Sequence, residues 1–163
     1  MKIKRFQGGF DNNFCYVLSC DETRTAAIID PSVEINPVIE YIDSNDLILD
    51  KILITHTHYD HIHYLDDFIN LYPLVKVYAS SNAKLSNSIN FYRLEHNDVI
   101  GLGKHLILSL STPGHYFDSV CYWIKSKDIV FTGDTMFVGR TGRTISSGSA
   151  HHISVAIGIQ YGA

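Results

Sequence analysis

Three histidines and an aspartate, all side chains that bind metals, stand within six residues of this chain: His56, His58, Asp60 and His61. The short, nearly continuous apolar run at residues 51–54 directly before them is typical of a strand buried on both faces. Imidazole and carboxylate ligands suit Zn²⁺ and related first-row metals. On an extended loop, residues two apart point the same way, so His56 and His58 can share one ion. Asp60 and His61 can then aim at a second position. The fold must therefore present this loop as a metal site.

The segments around this cluster have alternating strand and helix patterns. Apolar residues recur at helical spacing from Ile62 to Ile69, with Asp60 where a helix N-cap would stand, and residues 75–79 predict the next strand. The order strand, polar loop, helix, strand is typical of a βαβ unit, whose sites lie beyond the carboxyl ends of its strands. Further patterns predict a helix at 37–44, strands at 14–18, 26–29, 120–124 and 129–132, and β-structure over 94–111 with a turn at 101–103.

Two later residues repeat this arrangement of a polar side chain just past an apolar strand. His115 follows the apolar run 106–110 through a Thr-Pro-Gly turn, and Asp134 follows the run 129–131. Alone, they would be interpreted as an ordinary loop histidine and a turn aspartate or helix cap. Beside the first cluster, we expect both to be metal ligands. Two cations held close together need a bridging anion, and Asp134 is the natural candidate.

Size and composition limit the class of protein. A chain of 163 residues predicts one domain. Its net charge of -4, with no basic strip, argues against a nucleic-acid partner and leaves a small-molecule substrate as the expected partner. No apolar stretch approaches the roughly 20 residues that cross a bilayer, and the N-terminus does not resemble a secretory signal. We therefore expect no membrane partner and a cytoplasmic location. The odd number of cysteines, Cys15, Cys20 and Cys121, fits buried thiols in a reducing compartment.

Over residues 10–148 or so, the chain resembles the metallo-β-lactamase superfamily. The motifs that carry the resemblance are Asp11–Tyr16, Ile29–Pro31, Thr55–His61, Thr112–His115 and Thr132–Thr135. The first of these and the stretch 139–144 are similar to the glyoxalase II branch, which includes small thioester hydrolases and persulfide dioxygenases. The resemblance implies an α/β fold of the αββα sandwich type over residues 1–149, followed by an atypical tail at 150–163.

The resemblance also implies a ligand set and a chemistry. Carried over by matched motif, the first metal would be held by His56, His58 and His115. The second would be held by Asp60 and His61, with Asp134 as the bridge. The implied cofactor is zinc, two ions per chain, with iron or manganese as alternatives. A metal-bound hydroxide would attack the carbonyl of a thioester such as an acylglutathione, while Asp60 orients the hydroxide or relays its proton.

The chain departs from the family pattern around the cluster. Residues 63–64 are His-Tyr where relatives often have Gly-Gly, Tyr116 stands in place of a small threonine, and Asp118 replaces a common glycine. These bulky residues border the site, so we expect them to narrow or reshape the substrate pocket. Candidates for substrate contact are Tyr116, Arg140 and Arg143, although loop arginines are more often solvated. His63 is interpreted as a helical-surface histidine rather than as an extra ligand.

The last residues match nothing that the family predicts. Its members continue through a helix and a strand ending in Pro-Gly-His, whose histidine completes the second metal site. Residues 150–163 have no such motif, which would fit a truncated or frame-shifted product with a sandwich incomplete at its C-terminal end. His151 or His152 could substitute for the absent ligand, or both could be a solvated pair. An open sheet edge would invite pairing with a second chain, so a homodimer is expected.

Three functions remain open at this point. The first is thioester hydrolysis at two metal ions. The second is an iron-dependent persulfide dioxygenase, which needs two histidines and one carboxylate, a set that His56 or His58, His115 and Asp134 could supply. The third is a folded, metal-binding product with little activity.

Overall fold

The computed structural model describes residues 1–144, which form two large β-sheets, a two-stranded hairpin and three α-helices. The first sheet contains β1 (Lys2–Gly8), β2 (Asn13–Ser19), β3 (Thr25–Ile29), β4 (Ile48–Leu53), β5 (Lys76–Ser80) and β6 (Phe91–Leu94). The second contains β7 (Val99–Leu102), β8 (His105–Ser111), β9 (Val120–Ile124) and β10 (Ile129–Phe131). A hairpin of β11 (Met136–Phe137) and β12 (Arg140–Thr141) follows, and the helices are α1 (Ile35–Ser44), α2 (Tyr59–Ile62) and α3 (Leu65–Leu71).

The first sheet brings strand ends together at one edge. β1, β2 and β3 are antiparallel neighbours, whereas β3, β4, β5 and β6 run parallel in that order. Parallel neighbours need crossover connections, here α1 between β3 and β4, and α2 with α3 between β4 and β5. The carboxyl ends of β3 and β4 therefore lie side by side, which places the residues after each strand next to one another.

Both faces of the central strands β2, β3 and β4 are mostly buried, which explains their continuous apolar runs, whereas β1 is mostly exposed. In β2, Val17 packs toward the helix side with Val38 of α1, whereas Leu18 packs with Ile107 and Tyr122 of the second sheet. The described residues thus form a helix layer, a sheet and a second sheet, three layers of the predicted αββα sandwich. The predicted α/β class is confirmed.

The second sheet is antiparallel throughout, in the order β10-β9-β8-β7. Val99 and Leu106, apolar residues on its strands, are 58% and 60% exposed. β10 is at an edge of this sheet, so pairing of that edge with a second chain stays a prediction. The tail at residues 150–163, with His151 and His152, lies outside the described residues. Within residues 1–144, no helix is long and apolar enough to cross a membrane.

Several local predictions were wrong. The helix expected after the cluster is divided in two, and His58, not Asp60, precedes its first turn as the N-cap residue. His63 ends that turn instead of lying on a helix surface. It is half-buried, its Nδ1 has no hydrogen-bond partner within residues 1–144, and its ring contacts those of Tyr59 and Tyr64. The turn predicted at 101–103 falls one residue later, because Leu102 still pairs with His105.

Candidate metal centre

Three loops converge where the strands of the two sheets end. They are residues 54–58 after β4, 112–119 after β8 and 132–135 after β10. The backbone N–H of Val120 donates to the carbonyl of Thr55 at 2.8 Å and ties the first two loops. The hydroxyls of Thr112 and Thr135, 3.0 Å apart, tie the second loop to the third. These contacts join the loops that carry His56, His58, His115 and Asp134, while Asp60 and His61 stand in α2, directly after the first loop.

The first ligand group consists of His56, His58 and His115. The Nδ1 of His58 lies 3.0 Å from the Nε2 of His56 and 3.0 Å from the Nε2 of His115. Burial and the neighbouring imidazoles lower the pKa of His56 far below its ordinary value and also lower that of His58. Neutral rings keep their lone pairs at physiological pH, so these three converging nitrogens fit a borderline cation such as Zn²⁺.

The second group consists of His56, His61 and Asp134. The Nε2 of His61 is buried and has no hydrogen-bond partner among the described residues, and a carboxylate oxygen of Asp134 lies 3.3 Å from it. Burial lowers the pKa of His61, but the carboxylates of Asp134 and Asp30 outweigh it and raise the pKa to about 10. The position therefore favours positive charge beside Nε2, which a proton or a metal ion can supply. A buried imidazole nitrogen that lacks a hydrogen bond forms, with the carboxylate that it faces, a suitable pair of ligands for a metal ion.

Asp134 spans the two groups. One of its carboxylate oxygens faces His61 and the other lies 3.6 Å from the Nε2 of His115. Burial raises the pKa of Asp134, but His61, His115 and His58 together hold it below its ordinary value. An ionised carboxylate between two ligand groups has the position and charge that a bridging anion needs.

Asp60 is the one predicted ligand that belongs to neither group. Its carboxylate lies 3.7 Å from the Nε2 of His61, facing the second group, and accepts a 2.6 Å hydrogen bond from the side-chain amide of Asn13. This contact holds Asp60 at the edge of the site. Asn13 belongs to the family motif Asp11–Tyr16, but nothing in the sequence indicated that it binds Asp60, 47 residues away.

Asp30 is a site residue that the sequence indicated only as part of the family motif Ile29–Pro31. It is 2% exposed and accepts three hydrogen bonds: from the backbone N–H of Thr55 at 2.7 Å, from the Thr55 hydroxyl at 2.6 Å, and from His61 Nδ1 at 2.9 Å. A carboxylate on the far nitrogen of a ligand histidine fixes its ring and tautomer. Asp30 comes directly after a buried strand, and the same pattern predicted Asp134 as a site residue. The pattern could therefore have predicted Asp30 as well.

Glycine is required where the third loop approaches the first. Gly133 has a φ of +48°, and a Cβ there would lie 2.4 Å from the Thr55 hydroxyl. A Cβ on Gly142 would lie 1.8 Å from the carbonyl oxygen of Asp134. Both contacts exclude any larger side chain without movement of the backbone, so these glycines allow Asp134 to reach the histidines.

Two of the three candidates for substrate contact, Tyr116 and Arg143, touch histidines of the first group. The ring of Tyr116 packs on that of His58, with centroids 4.0 Å apart. Arg143 is exposed, and its carbonyl accepts a 2.7 Å hydrogen bond from the Nδ1 of His115, which orients that ring. Arg140 is exposed and stacks on Phe137. Contact between any of these side chains and a substrate stays a prediction.

Asp118, which stands where relatives commonly have glycine, joins the loop after β8 to the loop after β4. It is 2% exposed, and its carboxylate accepts a 2.6 Å hydrogen bond from the hydroxyl of Thr57 and one at 3.3 Å from the Thr57 N–H. Burial raises the pKa of Asp118. Because Thr57 stands between His56 and His58, this bond sets the position of their loop relative to that of His115.

Replacing Thr57 by valine is expected to lower metal affinity at the three-histidine group by roughly 10–100-fold, the usual effect of losing a contact behind the ligands. Valine has the shape of threonine but leaves the buried carboxylate of Asp118 without its shortest hydrogen bond. Competition with a chromophoric zinc chelator measures the change. The matched control is the exposed Thr23→Val, and equal affinity in the two folded variants would contradict the expectation.

The sequence of this chain is similar to those of proteins named as probable hydrolases. A family model described as the metallo-beta-lactamase superfamily matches residues 8–158. A Schizosaccharomyces pombe protein named probable hydroxyacylglutathione hydrolase glo2 is 39% identical over 140 residues, which are 83% of this chain and 53% of the relative. A Bacillus velezensis protein named probable polyketide biosynthesis zinc-dependent hydrolase BaeB is 33% identical over 147 residues, 85% of this chain and 62% of the relative.

Solved structures give the same result. ETHE1 from Myxococcus xanthus superposes with a TM-score of 0.84 at 28% sequence identity, over 96% of this chain and 68% of that protein. A metallo-beta-lactamase from Staphylococcus aureus superposes with a TM-score of 0.85 at 27% identity, over 98% of this chain and 51% of that one. The chain spans little more than half the length of the two curated relatives, 53% and 62%.

Proposed function

Because this chain belongs to the metallo-beta-lactamase superfamily, we propose that it is a metal-dependent hydrolase that cleaves a thioester such as an acylglutathione. The observation that carries the proposal is the pair of ligand groups that share His56 and meet at Asp134. The relative named as a probable hydroxyacylglutathione hydrolase supports the substrate class, and the one named as a zinc-dependent hydrolase supports zinc.

The proposed ligands follow from the two groups. His56, His58 and His115 would hold one zinc ion; His61 and Asp134, with Asp60 at its edge, would hold the other. Bound there, zinc would lower the pKa of water toward 7 and polarise a carbonyl oxygen. The protein side chains orient the ligands. Asp30 keeps the proton of His61 on Nδ1, so that Nε2 presents its lone pair to the site.

Asp60 is proposed to handle the proton of the nucleophile. The oxygen of water bonds to the thioester carbonyl carbon, the carbon–sulfur bond breaks, and the sulfur leaves as a thiolate that takes up a proton. The carboxylate of Asp60 can accept the proton of the attacking water and return it to the thiolate, because Asn13 holds it facing His61. The products are a carboxylic acid and a thiol.

The experiment is metal analysis combined with turnover. Protein purified without added metal is expected to contain two zinc ions per chain and to hydrolyse members of a panel of acylglutathiones. His61→Ala is expected to reduce the stoichiometry to one ion and to abolish turnover, while the exposed His96→Ala leaves both unchanged. Unchanged stoichiometry in His61→Ala, or no turnover of any thioester by the loaded protein, would overturn the proposal.

The second candidate is an iron-dependent persulfide dioxygenase. The geometry that favours it is the carboxylate of Asp134 beside His115 and His58, a set of two histidines and one carboxylate. One iron per chain, with oxygen consumption on a persulfide and no thioester hydrolysis, would select this function instead.

A further inference from the structure

A cavity of about 610 Å³ opens beside the second ligand group. It lies between the two sheets, where residues of β1 and β2 face residues of β10 and the segment after it. His61 and Asp134 line one end of the cavity. A space of this size is in the range that holds a small-molecule ligand, about 300–1,000 Å³.

The walls away from this end are mostly apolar. Phe14, Tyr16 and Phe131 are among them, and the rings of Tyr16 and Phe131 pack edge to face with centroids 4.9 Å apart. Ile3 on β1 and Phe137 after β10 extend the apolar surface outward; their side chains are 38% and 41% exposed. The polar groups that could act on a substrate are therefore gathered at one end of an apolar space.

The charges around the cavity decide which part of a thioester fits it. Among the described residues, its lining contains no lysine or arginine, and its carboxylates are Asp30 and Asp134. The carboxylates of a glutathione moiety would find no cationic partner within this lining and would meet negative charge; the guanidinium of Arg5 lies over the Phe14 ring, outside the lining. An apolar acyl chain buries its methylenes against Phe14 and Phe131 without leaving a polar group unpaired.

We propose that this cavity binds the acyl chain of the substrate, so that the preferred thioesters carry an unbranched apolar chain of several carbons rather than a short polar acyl group. The proposal rests on the proposed thioester hydrolysis. It places the carbonyl beside His61 and Asp134, the chain along the aromatic wall, and the thiol moiety outside the cavity.

The test is a chain-length series with the intact, metal-loaded protein. From acetyl- through butyryl- and hexanoyl- to octanoylglutathione, KM is expected to fall by about threefold to fourfold per buried methylene, with kcat little changed. Ile3→Glu introduces a carboxylate at an exposed position of the wall and should remove the fall in KM with chain length. Val99→Glu, on the second sheet and outside the cavity, should retain it.

Binding gives a readout that does not depend on turnover. S-octylglutathione, a thioether that cannot be hydrolysed, is expected to bind at least tenfold more tightly than S-methylglutathione by titration calorimetry, and Ile3→Glu should abolish the difference. Hydrolysis with equal KM across the series would overturn the acyl site and leave the proposed function standing. If no thioester is hydrolysed, the proposed function fails, and equal binding of the two thioethers would then overturn the acyl site as well.

Discussion

Replacing Asp134 by asparagine is expected to lower kcat/KM for thioester hydrolysis by about a thousandfold, since charge stabilisation at a two-metal site contributes several kcal/mol. The carboxylate faces His61 with one oxygen and His115 with the other, at 3.3 Å and 3.6 Å. Asparagine has nearly the same shape but has one oxygen and no charge. It can therefore support one ligand group at a time, and the two cations of the proposed site would lose the anion between them.

Metal content separates this effect from misfolding. We expect Asp134→Asn to retain the circular dichroism spectrum of the parent and to bind fewer than two zinc ions per chain at equal free zinc. The matched control is Asp66→Asn, an exposed aspartate in the first turn of α3. If the variant retains two ions and activity within tenfold of the control, Asp134 is not the bridge.

The convergence of the candidate ligands could be predicted because each of them comes after a strand with a clear apolar pattern. His115 and Asp134 would be ordinary loop residues if taken alone. They were predicted as ligands because each follows an apolar strand, as the first cluster does. The α/β class followed from the same patterns, since helices between parallel strands leave the strand ends at one edge. Those strand ends now lie beside one another, and side chains separated by 57 residues, those of His58 and His115, lie 3.0 Å apart.

Other features of the fold and the site depend on contacts between distant residues, which no local sequence pattern indicates. The helix after the cluster divides at His63 and Tyr64, and the backbone N–H of Tyr64 donates to the carbonyl of Pro31, 33 positions earlier. Asp60 lies outside both ligand groups because Asn13 binds it. Tyr116 was predicted at the site by its position, but its packing on His58 could not be inferred before the two loops were placed.

Replacing Asp30 is expected to produce the largest loss of stability. Asp30→Ala leaves the N–H and hydroxyl of Thr55 and the Nδ1 of His61 without their acceptor in the protein interior. Breaking such a buried charged network costs about 3–5 kcal/mol of the free energy of unfolding. Asp30 also has a φ of +50°, which alanine tolerates less well than aspartate or asparagine. Denaturant unfolding of the metal-free protein measures the change, and a loss below about 1 kcal/mol would contradict it, since one ordinary hydrogen bond accounts for that much.

Asp30→Asn separates the role of Asp30 in the metal site from its role in the fold. Asparagine can accept from the Thr55 N–H and keeps the backbone geometry, so the fold should survive. Its amide donates toward Nδ1 of His61, which moves the ring proton to Nε2 and removes the lone pair that a metal would use. We expect roughly 10–100-fold weaker zinc affinity at the second position, with the three-histidine position unchanged. The control is Asp128→Asn, an exposed aspartate with a similar φ of +53°. Equal zinc affinity in both variants would mean that Asp30 stabilises the loop without orienting His61.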